Sequence, residues 1–445
     1  VSITTTLTLR PPGGAAVTIN TDDRDDAIAG DTSAIRAATV TWGRSSVRDH
    51  QNAGRVTVVL RAAELLAVPF DSELSLSLSL NGRPAVLVAH GWVESMTYTG
   101  PDTRGRWEHS ITCATIVGRA AATTITGQTW PNQFIGDRLT AIQAAAPIQL
   151  LDPAALLPAQ GPQAPLTIDS DNALDLIQRA YASLPTLVVE GATGLIHGGG
   201  LGRGITYPFV YGSGDVTPGY LSAVTTPIPL PIAAAAVGAA PRQVDRSTML
   251  TGVTVTTKDA TGAQITTRYA NAGVSTSSAD TAITTDAILT LASSALRRQI
   301  LHLLAENTTP TPVLSGQVPI LLDQLDPATV EALIAIPGRM SAVLAIDGGP
   351  VDLEPLQAIR DATLTIADGR LTLDAGLEPA RLAGVRPVRW SDFPDTDTLT
   401  DPTSPGHYAV AQFAHLDTVN HYVYSRAMTA ARLRAILRPN PRNSQ

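Results

Sequence analysis

From Glu73 to Leu80 the chain alternates serine and leucine almost without interruption, the two-residue period of a strand with one buried face. Asn81-Gly82 follows at once; both residue types accept the positive φ angles of a two-residue hairpin turn, and Pro84–His90 reads as the return strand. Thr4–Leu9 alternates threonine with aliphatic residues, while Ala38–Trp42 and Val56–Leu60 are β-prone runs. Val93–Tyr98 and His109–Val117 continue the pattern on either side of the polar turn Gly100–Arg106. Strands this numerous, joined by short turns, predict a barrel or sandwich up to about Gly127.

The period changes at Trp130-Pro131. Phe134, Ile135, Leu139, Ile142 and Ala146 recur on one face of a predicted helix that Pro147 stops. Ser170-Asp171-Asn172 offers N-cap chemistry to a second helix, with Leu174, Ile177, Ala180 and Tyr181 facing inward and Pro185 ending it. Thr186–Glu190 and Leu195–His197 flank Gly191–Gly194 as a small hairpin. Pro227–Pro231 reads as an extended connector. Beyond it, Val253–Thr257 and Gln264–Tyr269 enclose the turn Asp259–Gly262. A long helix is expected from a cap near Thr285-Asp286, with Ile288, Leu289, Ala292, Leu296, Ile300 and Leu303 as its apolar stripe and Asn307–Pro310 as its end. Asp326-Pro327 opens a short helix, and Ala362–Ile366 and Arg370–Leu373 enclose a second hairpin turn, Asp368-Gly369. Val385–Trp390, Tyr408–Phe413 and Tyr422–Tyr424 suggest further strands, and Met428–Leu437 a terminal helix or arm.

The expected fold class is therefore α+β, predominantly β and multidomain, with small β-barrel or sandwich modules and an inserted α/β module. Four parts are expected: a β-barrel-like domain over 1–128, a helix-and-hairpin module over 129–235, a hairpin with a long helix over 236–313, and a β-rich domain with the terminal helix or arm over 314–445. Composition adds that the cores are aliphatic, since hydrophobic residues make up 44% of the chain and aromatic ones only 4%. The net charge of -8 and the lack of a basic run argue against nucleic acid as a partner; Arg432, Arg434, Arg438 and Arg442 read as a solvated helix face. No apolar stretch is long enough to span a bilayer, and Val1–Thr6 lacks the features of a secretory signal, so the chain is expected to be soluble and made in the cytoplasm.

Candidate chemistry is sparse. Cys113 is the sole cysteine, which excludes an intrachain disulfide and a thiolate metal cluster; it sits in an apolar run as a core residue. Gly198–Gly204 is glycine-rich, yet no Gly-Lys-Ser/Thr follows and Ile205–Val210 reads as extended, so a loop is favoured over a phosphate cradle. His407, His415 and His421 with Asp417 form the densest histidine group, but a spacing of six residues on a strand is too wide for one ion. Glu94 with Glu108, or Asp392, Asp395 and Asp397, resemble paired carboxylates only in composition. No Gly-x-Ser-x-Gly elbow occurs. No catalytic, cofactor-binding or metal-binding residue is assigned.

One stretch says more by its order than by its chemistry. Trp42-Gly43-Arg44, then Gln51, then Gly54 and a β-rich run resemble the opening domain of minor tail proteins of long-tailed phages infecting actinobacteria. Trp130-Pro131, then Asp137-Arg138, then Asn172–Arg179 and a hairpin resemble the second module of the same proteins. The succession of modules is also similar to the baseplate hub of contractile-tailed phages, in which three chains form a pseudo-hexameric ring. The resemblance implies a baseplate-hub-like fold and a structural virion protein of the tail tip. It further implies a homotrimer that meets a distal tail protein and the tape measure protein and joins the tail tube to host-adhesion components. Two other readings are a glycan-binding virion or cell-surface adhesin, for which Trp107, Trp130 and Trp390 are the loosely placed aromatics, and a cell-wall hydrolase, against which the missing catalytic motifs count.

Overall fold

The computed structural model describes residues 2–20, 33–46, 51–62, 65–103, 105–146, 148, 162–182, 187–190, 196–199, 230–238, 242–245, 249–270, 280–288, 304, 311–336, 338–340, 342–347, 356–367, 369–379, 388–389, 412–415 and 418–420. Seven strands open the chain: β1 (Ile3–Arg10), β2 (Val17–Asn20), β3 (Ser33–Gly43), β4 (Arg55–Ala62), β5 (Glu73–Leu80), β6 (Val86–Thr99) and β7 (Trp107–Thr115). Their neighbours run β3-β4-β7-β6-β5-β1-β2, and β2 returns beside β3, so the sheet curls into a barrel-like unit. On β5 every leucine is buried and every serine half-buried, as the alternation predicts. Asn81 and Gly82 adopt φ of 51° and 73°, the mirror-image turn that suits a right-twisted hairpin.

Two predicted strands prove to be one. Pro84–His90 and Val93–Tyr98 fall on the single strand β6, whose register shifts between Leu76 and Ser77 on β5 and again between Val93 and Ser95 against β7. Each bulge resets which face a side chain takes, which breaks the two-residue period and hides the continuity. The run His109–Val117 also divides. Thr115 ends β7, and its hydroxyl accepts from the Gly118 amide at 3.3 Å, capping helix α1 (Ile116–Ala122).

A second module follows: β8 (Thr124–Trp130), α2 (Ile135–Ala145), β9 (Leu166–Asn172), α3 (Ala173–Tyr181), β10 (Leu187–Glu190) and β11 (Ile196–Gly199). β8 pairs with β9 and β10 with β11. The side chain of Asn172 accepts from the Leu174 and Asp175 amides at 2.8 and 3.3 Å, the expected cap. Ile135, Leu139, Ile142, Leu174, Ile177, Ala180 and Tyr181 fill its own aliphatic cluster. Phe134, expected inside, is instead the exposed residue before α2.

The connector expectation at Pro227–Pro231 meets a correction at its end, because Leu230 and Pro231 already belong to β12 (Leu230–Ala233); an edge strand tolerates proline. β13 (Arg242–Asp245) precedes a three-stranded sheet of β14 (Gly252–Lys258), β15 (Gln264–Ala270) and β16 (Thr281–Ile288), with β14 central. Thr285 and Asp286, expected to cap a long helix, and Ile288, expected on its apolar stripe, lie inside β16, which runs parallel to β14; beyond Ile288 the predicted helix, apart from Leu304, lies outside the described residues.

The chain then rejoins the first sheet. β17 (Thr311–Leu314), β18 (Gln317–Ile320), α4 (Pro327–Ile334), β19 (Val343–Asp347), β20 (Leu356–Ala367) and β21 (Arg370–Pro379) follow in order, with Asp326 capping α4 through the Thr329 amide at 3.0 Å. β20 pairs with β3 from Asp361–Gly43 to Ala367–Ala37, with β21 along its other edge, and with β19 near its start. β19 carries β12, and a bridge from Val237 to Ile320 on β18 closes this second curl. Twelve strands thus form one branched sheet, and one aliphatic cluster runs through it from Ile3 to Leu377. The α+β, predominantly β expectation holds. β22 (Val388–Arg389), β23 (Gln412–His415) and β24 (Thr418–Asn420) make a small separate sheet; the terminal helix expected at Met428–Leu437 lies outside the described residues.

The face assignment of β5 gives a direct expectation. Leu78→Asp puts a carboxylate on a fully buried position and should cost about 3 kcal/mol or more, whereas Ser77→Asp, on the half-buried face, should cost about 1 kcal/mol or less. Thermal melting of the two variants checks this; equal shifts contradict the assignment.

Candidate functional site: buried polar joints between modules

The Trp42-Gly43-Arg44 stretch and Gln51 meet at a joint. Gly43 closes β3 against Asp361, where a Cβ would stand 2.5 Å from the Asp361 Cβ; only glycine lets the two backbones come this close. The Arg44 amide donates to the Arg360 carbonyl at 2.9 Å, and its guanidinium Nη2 donates to the carbonyls of Met340 and Ile359 at 3.0 and 3.1 Å. The backbone of Gln51 donates to the Val188 carbonyl at 3.1 Å, and its side-chain Oε1 accepts from the Glu190 amide at 2.9 Å, so Gln51 extends the ladder of β10.

Arg339 stands at the centre. Its Nη2 lies 2.7 Å from Glu190 Oε2, its Nη1 donates to the Val88 carbonyl at 2.6 Å, and its guanidinium sits 4.2 Å over the Trp42 ring. The side chains of Arg339 and Glu190 are 1% and 3% exposed, so the pair is cut off from water. Burial holds the Arg339 guanidinium below its ordinary value, with the Glu190 carboxylate offsetting part of that. Three parts of the chain therefore converge here: the first barrel through Trp42 and Val88, the α/β module through Glu190, and the last part through Arg339.

A second joint ties the α/β module to the β14–β16 sheet. Asp286, almost fully buried, lies 3.2 Å from Arg179 Nε and 3.1 Å from Lys258 Nζ, and Lys258 is the one lysine of the sequence. Arg138 donates to the Ala164 carbonyl at 2.6 Å with its guanidinium 5.3 Å from the Trp130 ring. The Ala164 amide in turn donates to the Asp286 carbonyl at 2.8 Å. Burial lowers the Arg138 pKa, with Asp286 acting against it and Arg179 with it. These arrangements hold cations against carboxylates and carbonyls; none presents a nucleophile or an acid–base pair to a cleft.

The residues weighed from sequence are dispersed. Glu94 is the bulged residue of β6 and Glu108 pairs with Thr99, so the two sit about 14 Å apart along the ladder. Cys113 is buried, and burial, helped by Glu94, pushes its thiol up to about 12, which leaves it inert. Trp130 is buried and Trp107 half-buried against Tyr98; Trp390 lies outside the described residues, so the tryptophans form no exposed cluster among those described. Gly198 and Gly199 end β11 and His415 ends β23, while Gly200–Gly204, His407, Asp417, His421, Asp392, Asp395 and Asp397 lie outside the described residues. Among the described residues no group of three or more His, Cys, Asp or Glu is placed to hold a metal, and no helix is long and apolar enough to cross a membrane. Sequence reasoning missed Arg339, Glu190 and the partners of Asp286; Lys258, solitary among arginines, was the one visible signal.

No family model matches the chain, and no curated protein matches it by sequence. Among solved structures, the 43 kDa tail protein of prophage MuSo2 from Shewanella oneidensis is similar over 86% of this chain and 100% of that one, with a TM-score of 0.51 at 9% identity. The chain shares the fold of that protein. The tail protein from Neisseria meningitidis MC58 is also similar, over 86% and 98% of the two chains, with a TM-score of 0.49 at 10% identity. The E. coli c3393 protein, a component of the type VI secretion system, is similar over 84% and 83%, with a TM-score of 0.42 at 10% identity.

Two expectations follow for the joint of this tail-protein fold. Glu190→Ala or Arg339→Ala alone leaves a buried charge without its partner and should cost about 3–5 kcal/mol. The pair Glu190→Leu with Arg339→Met should cost far less than the sum, and additive losses in denaturant unfolding contradict the joint. His90 gives a pH dependence. Burial lowers its pKa below 6.5 despite Glu73 and Glu190 nearby, with Nε2 3.3 Å from Glu73 Oε1 and Nδ1 3.0 Å from the Ser75 hydroxyl. A native imidazole harder to protonate than the unfolded one means that the unfolded chain binds more protons. The His90 contribution is therefore present above about pH 6.5 and is lost as pH falls towards the native pKa. Unfolding free energies from about pH 7.5 to about pH 5.5 should fall less steeply for His90→Gln than for the natural chain; identical slopes contradict this.

Proposed function

We propose that this protein is a tail-tip or baseplate-hub subunit, a structural component that joins a phage tail tube to distal host-adhesion parts and works through its interfaces rather than through catalysis. The observation that carries this reading is the likeness of fold to a prophage tail protein across 86% of this chain and the whole of that one. The branched sheet and the buried joints support it, since a subunit that transmits load needs modules fixed in orientation, and buried pairs with specific partners fix orientation more than they add stability. The hub reading carries with it a ring of three copies, contacts with a distal tail protein and a tape measure protein, and a place in the virion. Exposed edges such as β15, most of whose residues face solvent, are the kind of surface a neighbour covers.

Copy number in intact particles tests the proposal. Symmetry of the imaged tail tip, or quantitative mass spectrometry against the tube protein, should give three copies per particle. Six copies per ring, or many along the tail, point to a tube or adhesin role instead.

A further inference from the structure

The turn between β5 and β6 is set up for a reaction of its own backbone. Asn81 is the one asparagine of the sequence that a glycine follows, and Asn81, Gly82 and Arg83 are all exposed. The side-chain carbonyl carbon of an asparagine lies within ring-closing reach of the next residue's backbone nitrogen. A Cβ on that next residue ordinarily shields the nitrogen, and glycine has none. At Gly82 the surroundings add no shield either, since nothing stands within 4 Å of where a Cβ would be.

The three reacting groups are each in a favourable state. The attacking nitrogen is free: among the described residues the Gly82 amide donates to no carbonyl, because the turn is closed one residue later by the Arg83 amide on the Leu80 carbonyl at 3.0 Å. The carbonyl it attacks is polarised. Asn81 Oδ1 accepts from the Ser2 amide at 2.9 Å, which draws electrons from Cγ and steadies the negative charge that grows on Oδ1 during attack. The leaving group, Nδ2, is held by no partner among the described residues.

We propose that Asn81 is a site of spontaneous deamidation through a cyclic imide. The Gly82 nitrogen passes its proton to hydroxide and bonds to Asn81 Cγ. The Cγ–Nδ2 bond breaks, and Nδ2 takes a proton from water and departs as ammonia. A second water then opens the imide. Opening at Cγ leaves aspartate, whereas opening at the main-chain carbonyl leaves isoaspartate, whose backbone is one methylene longer. Water is consumed, ammonia is released and nothing is oxidised or reduced.

The place of this turn gives the change a structural consequence. The Asn81 amide donates to the Ser2 carbonyl at 2.9 Å, and Arg83 Nε and Nη2 donate to the Glu331 carboxylate of α4 at 2.6 and 3.1 Å. The residue before β1, the β5–β6 hairpin and α4 therefore meet here. A two-residue turn sets the register of the strands it joins, so an added methylene works against all of these ties. A plain aspartate keeps the backbone length and an oxygen for the Ser2 amide.

Warm incubation of the purified full-length protein in mildly acidic and mildly alkaline buffer, followed by peptide mass spectrometry, tests the site. The peptide with Asn81 should gain the mass of an amide-to-acid conversion ahead of every other asparagine peptide, and faster in the alkaline buffer. Its product should accept a methyl group from an isoaspartyl methyltransferase. Gly82→Ala should slow the conversion about tenfold or more, since it restores the missing Cβ. Asn81→Asp should melt within about 1 °C of the fresh natural chain, while the isoaspartate-bearing fraction melts lower. No mass gain at Asn81, another asparagine that converts first, or an unchanged rate in Gly82→Ala overturns the site. Equal melting of the isoaspartate fraction and Asn81→Asp overturns the consequence for the turn.

Discussion

The pairing of β3 with β20 is the constraint on which the rest of the molecule depends. It brings together backbone separated by hundreds of residues, as the bond from Arg44 to the Ile359 carbonyl spans 315 positions. The entropy lost in closing such a loop grows only slowly, by about 0.6 kcal/mol for each doubling of length, so the intervening modules can be inserted at modest cost. The return is a continuous aliphatic core that draws buried residues from both ends of the chain, from Ile3 to Leu377. The first and last parts of the sequence are one body at the level of packing.

Buried charge pairs tie the inserted modules to the rest of the chain. Arg339 with Glu190, and Asp286 with Arg179 and Lys258, are places where a misaligned module would leave a buried ion unpaired. Such pairs add little net stability over an apolar replacement, but they penalise every alternative arrangement.

Much of this was legible in the residue pattern, for local reasons. The Ser-Leu alternation of β5, the Asn81-Gly82 turn and the Asn172 and Asp326 caps are decided within a few residues, and sequence reads them well. What was hidden depends on partners far away. The bulges of β6 exist because of register against β5 and β7. Asp286 looks like a helix cap until Lys258 and Arg179 are seen to claim its carboxylate inside a strand. Gly43 and Gln51 were visible as part of a motif, yet their roles, a close approach to Asp361 and an extension of β10, need strands contributed from residues 187 to 367. The buried ion pair was not visible at all, because nothing in the sequence around Arg339 distinguishes it from a surface arginine.

Native-state hydrogen exchange, followed peptide by peptide, probes the shared core most directly. The amides of β4, β5 and β20 should exchange through one global opening, with the same free energy and the same dependence on denaturant. Protection of β20 and β21 that is lost through a separate, cheaper opening while β4 and β5 remain closed would contradict a single core built from the two ends of the chain.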